Sequence, residues 1–297
     1  MRAVVVHETG DVDVLRLEDV ETPVPDDGEV LVRVIAASIN PIDWKFRRGV
    51  VPRQLPTILG SDAAGVVEVS NAEGFSTGEE VFGFLGSGSY AEFGIGVPAT
   101  LAHKPDHLGY EQAAAMPVAS LTAWQGLFER GGLERGQRVL ISGAAGGVGH
   151  LAVQLAAQAG AEVLATGSPR NREFVLGLGA HRFIDYTSED VVTAAGEVDL
   201  VFDVVGHDTD RLLEAIRPGG KIVLIASAPP DGAAERDVDA ELFTMAPDSA
   251  QLERLAVLVA DEVLKVEIDE VVPLDDIQRA HALSESGHTR GKIVLTI

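Results

Sequence analysis

Arg138 to Gly160 reads RVLISGAAGGVGHLAVQLAAQAG: an apolar run, a glycine-rich turn, then a stretch with helical spacing. Ala144, Gly146 and Gly149 stand at the spacing of G-x-G-x-x-G with alanine in the first place; Gly143 precedes them, and Gly147 and Val148 fill the interval. Small residues let the backbone approach a pyrophosphate, whose charge the free N–H groups at the helix start receive. The same glycines could serve only the packing of a tight strand-to-helix turn. The residues beyond the turn separate one nucleotide from another. An NAD site carries Asp or Glu about 20 residues past the loop, where it bonds the ribose 2′-hydroxyl. Here Thr166, Gly167 and Ser168 occupy that place, and Arg170 and Arg172 come directly after them. Hydroxyl and guanidinium groups suit the 2′-phosphate of NADPH, and Tyr186, after the third apolar run, offers a phenolic hydroxyl to the same pocket. The alternative is a solvated helix start with two surface arginines.

Such a loop needs a strand before it and a helix after it, and the chain supplies both repeatedly. RVLIS, EVLAT, RFIDY, DLVFDVV and KIVLIAS alternate with HLAVQLAAQAG, REFVLGLGA, SEDVVTAAG and TDRLLEAIRPGG. Continuous apolar strands separated by amphipathic helices predict a doubly wound parallel sheet covered on both faces. Before it, short β-branched runs such as RAVVVHE, EVLVRVIAASI and GVVEVS are punctuated by Gly and Pro, which predicts a mostly antiparallel, barrel-like domain. GYEQAAAMPVASLTAWQGLFERGG reads as a helical crossover. PPDGAAERDVDAELFTMAP reads as irregular, and a helix, a strand, a helix and a strand close the chain.

With 297 residues, two domains are expected. The sequence has no cysteine, so disulfides, thiolate nucleophiles and cysteine-ligated zinc are excluded. A formal charge of −23 argues against nucleic acid and anionic lipid as partners and leaves a small-molecule ligand. No run approaches the roughly 18 apolar residues that span a bilayer, and no signal-like N-terminus is seen; a soluble cytoplasmic protein is expected.

Several stretches together resemble one family. GAAGGVGHLAVQLAAQAGAEVLAT, LGAHRFIDY, DLVFDVVG, RPGGKIVLIA, SINPIDWKFRRG, LGSDAAGVV, VFGF…GSYAEF and AHALSESGHTRGKIVL are similar to the zinc-independent quinone and enone reductases of the medium-chain dehydrogenase/reductase superfamily. The resemblance runs over the whole chain. It implies a GroES-like β-barrel catalytic domain over 1–118 and 265–297, a Rossmann NADP-binding domain over 119–264, a ligand cleft between them and a homodimer. In zinc-dependent relatives a cysteine ligand lies in the stretch matching SINPIDW and a His-Glu pair stands where this chain has Ser61-Asp62. Neither is present, so no metal site is expected. The eight histidines are scattered and read mostly as surface or cap residues.

Hydride transfer without a metal needs an acceptor that is already electron-poor, such as a quinone or an α,β-unsaturated carbonyl. The resemblance points to Asn40 beside the nicotinamide and ribose, to Lys45 as a donor to the acceptor oxygen, and to Asp43 as holder of the turn. Asn40-Pro41 is equally good turn chemistry, and Lys45 could be a surface lysine beside Arg47 and Arg48. Trp44, Phe84, Tyr90 and Phe243 are candidate apolar walls of a substrate pocket, or core. Val205 and Gly206, with Ala226 and Ser227, end two strands where nicotinamide binds in this architecture. Thr122 matches a family position near the nicotinamide ribose or phosphate, and Lys292 or Arg290 is a candidate phosphate contact, unless this is simply a strand start. The expected activity is that of an NADPH-dependent oxidoreductase; the alternatives are an enoyl-thioester reductase and a non-catalytic NADPH-binding structural or regulatory protein.

Overall fold

The computed structural model describes all of residues 1–297, which divide into two compact units, 1–118 with 247–297, and 119–246. Along the first unit run β1 (Arg2–Val6), β2 (Arg16–Asp19), β3 (Val30–Ile39), helix α1 (Pro41–Arg47), β4 (Thr57–Ile58), β5 (Asp62–Ser70), β6 (Glu80–Phe84), β7 (Phe93–Gly96), β8 (Leu101–His103) and helix α2 (Tyr110–Ala115). β2, β1 and β4 form a small antiparallel sheet. β3 is the spine of the larger sheet and pairs antiparallel with both β5 and β7. Its sequence, VLVRVIAASI, is buried along almost its whole length with Arg33 facing out, as an internal strand covered on both faces requires. Val30, Val32, Val34, Leu59, Val81 and Leu101 join one apolar core there.

The chain passes into the second unit within helix α3 (Pro117–Trp124), which runs on into a π-helical turn over Gln125–Arg130. Then come β9 (Arg138–Ile141), α4 (Gly149–Gln158), β10 (Glu162–Gly167), α5 (Arg172–Gly177), β11 (Arg182–Asp185), α6 (Val191–Ala195), β12 (Val198–Asp203), α7 (Thr209–Leu212), β13 (Ile216–Leu224) and β14 (Asp239–Leu242). The six strands are all parallel, in the order β11-β10-β9-β12-β13-β14. That is the doubly wound order, with β9 and β12 flanking the point where the winding reverses. α4 is buried on all sides from Gly149 to Ala156, which explains why GHLAVQLA carries no charged residue. Two elements differ from expectation. The stretch expected to be irregular contains β14, whose DAEL sequence is too polar to signal a strand but finds a parallel partner in β13. β13 begins at Ile216, so that RPGG, expected at a helix end, is part of the strand.

α8 (Ser249–Ala260), β15 (Ile268–Pro273), α9 (Ile277–Glu285) and β16 (Lys292–Thr296) return to the first unit. β16 pairs antiparallel with β3 and parallel with β15, which completes the large sheet. Residues 247–264, expected in the nucleotide-binding domain, group instead with the first unit: α8 buries Leu252, Leu255, Ala256 and Val259 and packs against β8. No helix is long and apolar enough to cross a membrane.

Candidate functional site

In the second unit the glycine-rich turn lies between β9 and α4. Gly143 takes a left-handed conformation (φ +63°) that a residue with a Cβ rarely adopts. The Gly146 N–H donates to the Gly143 carbonyl at 3.0 Å, and the Ala144 N–H donates to the Thr166 carbonyl at 3.1 Å, which holds the turn against the end of β10. A Cβ on Gly149 would collide with the Gly143 carbonyl oxygen, so the helix start and the turn approach as closely as two backbones can. No side chain caps α4 at Val148. The N-terminus of this ten-residue helix can receive an external anion, with the His150 N–H already taken by the Gly146 carbonyl at 3.1 Å. These features fit a dinucleotide pyrophosphate: the cradle is one that a side chain would fill.

At the end of β10, Thr166 is buried, and Ser168 opens a short turn whose Asn171 Nδ2 donates to its hydroxyl at 3.3 Å. Arg170 and Arg172 are exposed, and the Arg172 guanidinium lies 4.9 Å from the Phe183 ring centroid and 3.9 Å from a Glu189 oxygen. Tyr186 is 55% exposed on the neighbouring β11 end. Two carboxylates here were not anticipated. Glu189 also approaches Arg182 and accepts the Asp185 N–H at 3.0 Å. Asp185 accepts from the Thr187 hydroxyl at 2.7 Å, and that bond helps to hold its carboxyl below its usual range.

A second unanticipated residue organises the ends of β9, β12 and β13. Asp203 is fully buried; its carboxylate accepts from the Ser142 hydroxyl, from the Val205 and Gly206 N–H groups at 3.0 and 3.1 Å, and from the Thr209 hydroxyl at 3.1 Å. Thr209 continues the chain to the Ser227 hydroxyl at 3.0 Å. The carboxylate thus fixes Val205, 45% exposed, and Gly206 directly and reaches Ser227 through Thr209. The available signal was a carboxylate ending an apolar strand, DLVFD, where burial demands several donors. Thr122 and Phe243 are buried within the same unit, and Phe243 and Phe202 both press on Gly126 of the π turn.

In the first unit, α1 opens at Asn40. The Asp43 carboxylate accepts the Asn40 backbone N–H at 2.8 Å and the Tyr90 hydroxyl at 2.7 Å. The Asn40 amide donates to Asp62 at 2.9 Å and accepts from the Lys292 ammonium at 2.5 Å, and Ser38 donates to the same Asp62 oxygen at 2.9 Å. All six side chains are buried. Burial pushes the Asp43 carboxyl up to about 6 against the pull of its two donors. It also raises Asp62, which Lys292 holds back, lowers Lys292, and drives the Tyr90 phenol well above its usual range.

This cluster revises several expectations. Lys292 is a buried counter-ion rather than a phosphate contact, with Asn40 and the Ile39 carbonyl occupying its ammonium. Tyr90 is a core residue with its ring edge-on to His281, not the wall of an open pocket. Arg47 is not a surface neighbour of Lys45: it is fully buried and pairs with Glu285. His150 and His281 are likewise buried, while the other six histidines are exposed. Lys45 is half-buried with its ammonium 5.8 Å from the Trp44 ring centroid, and Phe84 is buried at the end of β6. Arg290 is half-buried in the turn before β16. No group of three or more His, Asp or Glu side chains stands where it could hold a metal ion.

Comparison with known proteins adds relatives over the whole chain. Residues 26–106 match the alcohol dehydrogenase GroES-like domain and residues 178–295 match the zinc-binding dehydrogenase model. The chain is 35% identical to the chloroplast envelope quinone oxidoreductase homolog of Arabidopsis thaliana, over 94% of this chain and 93% of that protein. It is 34% identical to the 2-methylene-furan-3-one reductase of Solanum lycopersicum, over 99% of this chain and 79% of that one. Among solved structures, Escherichia coli quinone oxidoreductase complexed with NADPH superposes with a TM-score of 0.93 at 28% identity, each chain being covered to 100%.

Proposed function

The chain belongs to the quinone oxidoreductase family of the medium-chain dehydrogenase/reductase superfamily and is an oxidoreductase, and from that premise we propose that it uses NADPH to reduce a quinone or an α,β-unsaturated carbonyl. The observation that carries the cofactor choice is the end of β10, where a position that would hold a carboxylate for NAD holds Thr166, Gly167 and Ser168, with two arginines adjacent. In a chain of net charge −23, a local gathering of cationic and hydroxyl groups favours a phosphate at that point.

NADPH, when bound, supplies the hydride. The N–H groups opening α4 take the pyrophosphate charge, and Gly146, Gly147, Val148 and Gly149 admit it at backbone distance. Ser168, Arg170, Arg172 and Tyr186 recognise the 2′-phosphate. The Val205, Gly206, Ala226 and Ser227 backbone orients the nicotinamide carboxamide, with Asp203 holding the first two in place. Asn40 and Thr122 address the nicotinamide ribose. Lys45 would donate to the acceptor oxygen as negative charge develops there, with the half-buried Trp44 ring beside its ammonium.

The acceptor class is tested by following NADPH absorbance with para-benzoquinone, phenanthrenequinone, methyl vinyl ketone and crotonyl-coenzyme A. Oxidation with quinones or the enone is expected. Turnover confined to the thioester would replace this reading with enoyl-thioester reduction, and tight NADPH binding without any oxidation would leave a binding protein.

A further inference from the structure

Asp62 and Lys292, in the buried cluster that includes Asn40, have no part in the hydride transfer. Asp62 and Lys292 are 0% and 4% exposed and carry opposite charges 3.8 Å apart. A buried ion pair is a poor device for stability, since its desolvation cost offsets most of its attraction, and well-packed apolar residues could join β16 to β3 and β5 as firmly. What an apolar pair could not do is distinguish the two ends of an amide. The Asn40 Oδ1 faces the ammonium at 2.5 Å and its Nδ2 faces the carboxylate at 2.9 Å. A flipped amide would set Nδ2 against a cation and Oδ1 against an anion, so both contacts would turn repulsive. Asp62 is itself fixed by Ser38 and by the Val118 N–H at 3.2 Å, and Lys292 by the Ile39 carbonyl at 3.1 Å.

We infer that Asp62 and Lys292 are positioning residues that hold the Asn40 amide in one sense, so that its remaining N–H and lone pair are offered to the nicotinamide ribose with their identities fixed. The inference rests on the proposed placement of Asn40 at that ribose. The pair acts through Asn40 and touches neither cofactor nor acceptor.

The double variant Asp62→Asn with Lys292→Met tests this, because it removes both charges together and leaves no preference between amide orientations. Its thermal midpoint is expected to stay near that of the unaltered protein, while NADPH affinity, read by fluorescence titration, and turnover each fall about tenfold. The same pair of changes introduced into an Asn40→Ala background is expected to have less than a twofold further effect on either quantity. A purely structural role would give the opposite pattern, with losses multiplying in the two backgrounds. Multiplying losses, or a double variant that keeps affinity and turnover within twofold, would overturn the inference alone. An Asn40→Ala variant with unchanged affinity and turnover would instead overturn the placement of Asn40, and the inference with it. If that double variant does not fold, Asp62→Asn with Lys292→Gln also removes both charges while keeping a donor for the Ile39 carbonyl, and carries the same comparison in both backgrounds.

Discussion

Tyr90 has two buried neighbours that respond to pH in opposite senses. Asp43, hydrogen-bonded to it, is raised from 3.8 to about 6, so between those values the folded protein holds a proton that the unfolded chain has released, and this contribution to stability is lost as pH rises. His281, packed edge-on against the same ring, is lowered from 6.5 to about 3 by burial and by Arg47, so its contribution is present above 6.5 and lost as pH falls. Where the windows overlap, each slope is about 1.4 kcal/mol per pH unit and the two cancel. Asp43→Asn should therefore lose stability relative to the unaltered protein as pH falls through the overlap, and His281→Phe should gain it. Urea titrations across that range check both; curves that stay parallel would contradict the assignment. Gly149→Ala pushes a methyl into the Gly143 carbonyl, and overpacking of this kind costs roughly 1–3 kcal/mol. Weaker NADPH binding should accompany the lowered melting point. Lys45→Met should reduce turnover by about a hundredfold with little change in NADPH affinity, the pattern of a lost proton donor; unchanged turnover would return Lys45 to the surface.

The proposed choice between nucleotides rests on the start of α5. Arg172 is stacked on Phe183 and drawn toward Glu189, so it is held near the end of β10 before any phosphate arrives. Arg172→Ala should narrow the ratio of NADPH to NADH affinity about tenfold by weakening NADPH alone, and titration of both nucleotides measures it. Equal loss for the two would place the arginine elsewhere. Elements of this kind were readable in the sequence because each announces itself locally: β9, β10, β11 and β12 are continuous apolar runs, and Gly143 and Gly149 must lack a side chain for the turn to close. β14 was not readable, since an edge strand beside β13 needs little apolar burial, and DAEL shows none. The Asn40 cluster was hidden for a different reason. Asn40 and Asp43 are local, but Asp62, Tyr90 and Lys292 arrive from β5, the turn before β7, and β16, and no spacing along the chain records that meeting. Asp203 was similarly obscured, because its donors come from the ends of β9 and β12 and from the start of α7.

The molecule as a whole combines an antiparallel unit that buries a charged cluster beneath Asn40 with a parallel unit whose strand ends and helix start form a dinucleotide cradle. Neither the cysteine-free composition nor the residues at Ser61 and Asp62 provide the ligands used by zinc-dependent relatives, and Asp62 is already engaged by Lys292, Asn40 and Ser38. The chemistry proposed for the chain relies on a reduced nicotinamide and an acceptor activated by its own conjugation. The most direct measurement is kcat/KM for NADPH and for NADH, side by side with para-benzoquinone as acceptor. The expected result is oxidation of NADPH with a preference over NADH of at least about fiftyfold; equal efficiency with the two nucleotides, or no oxidation of either, would contradict it.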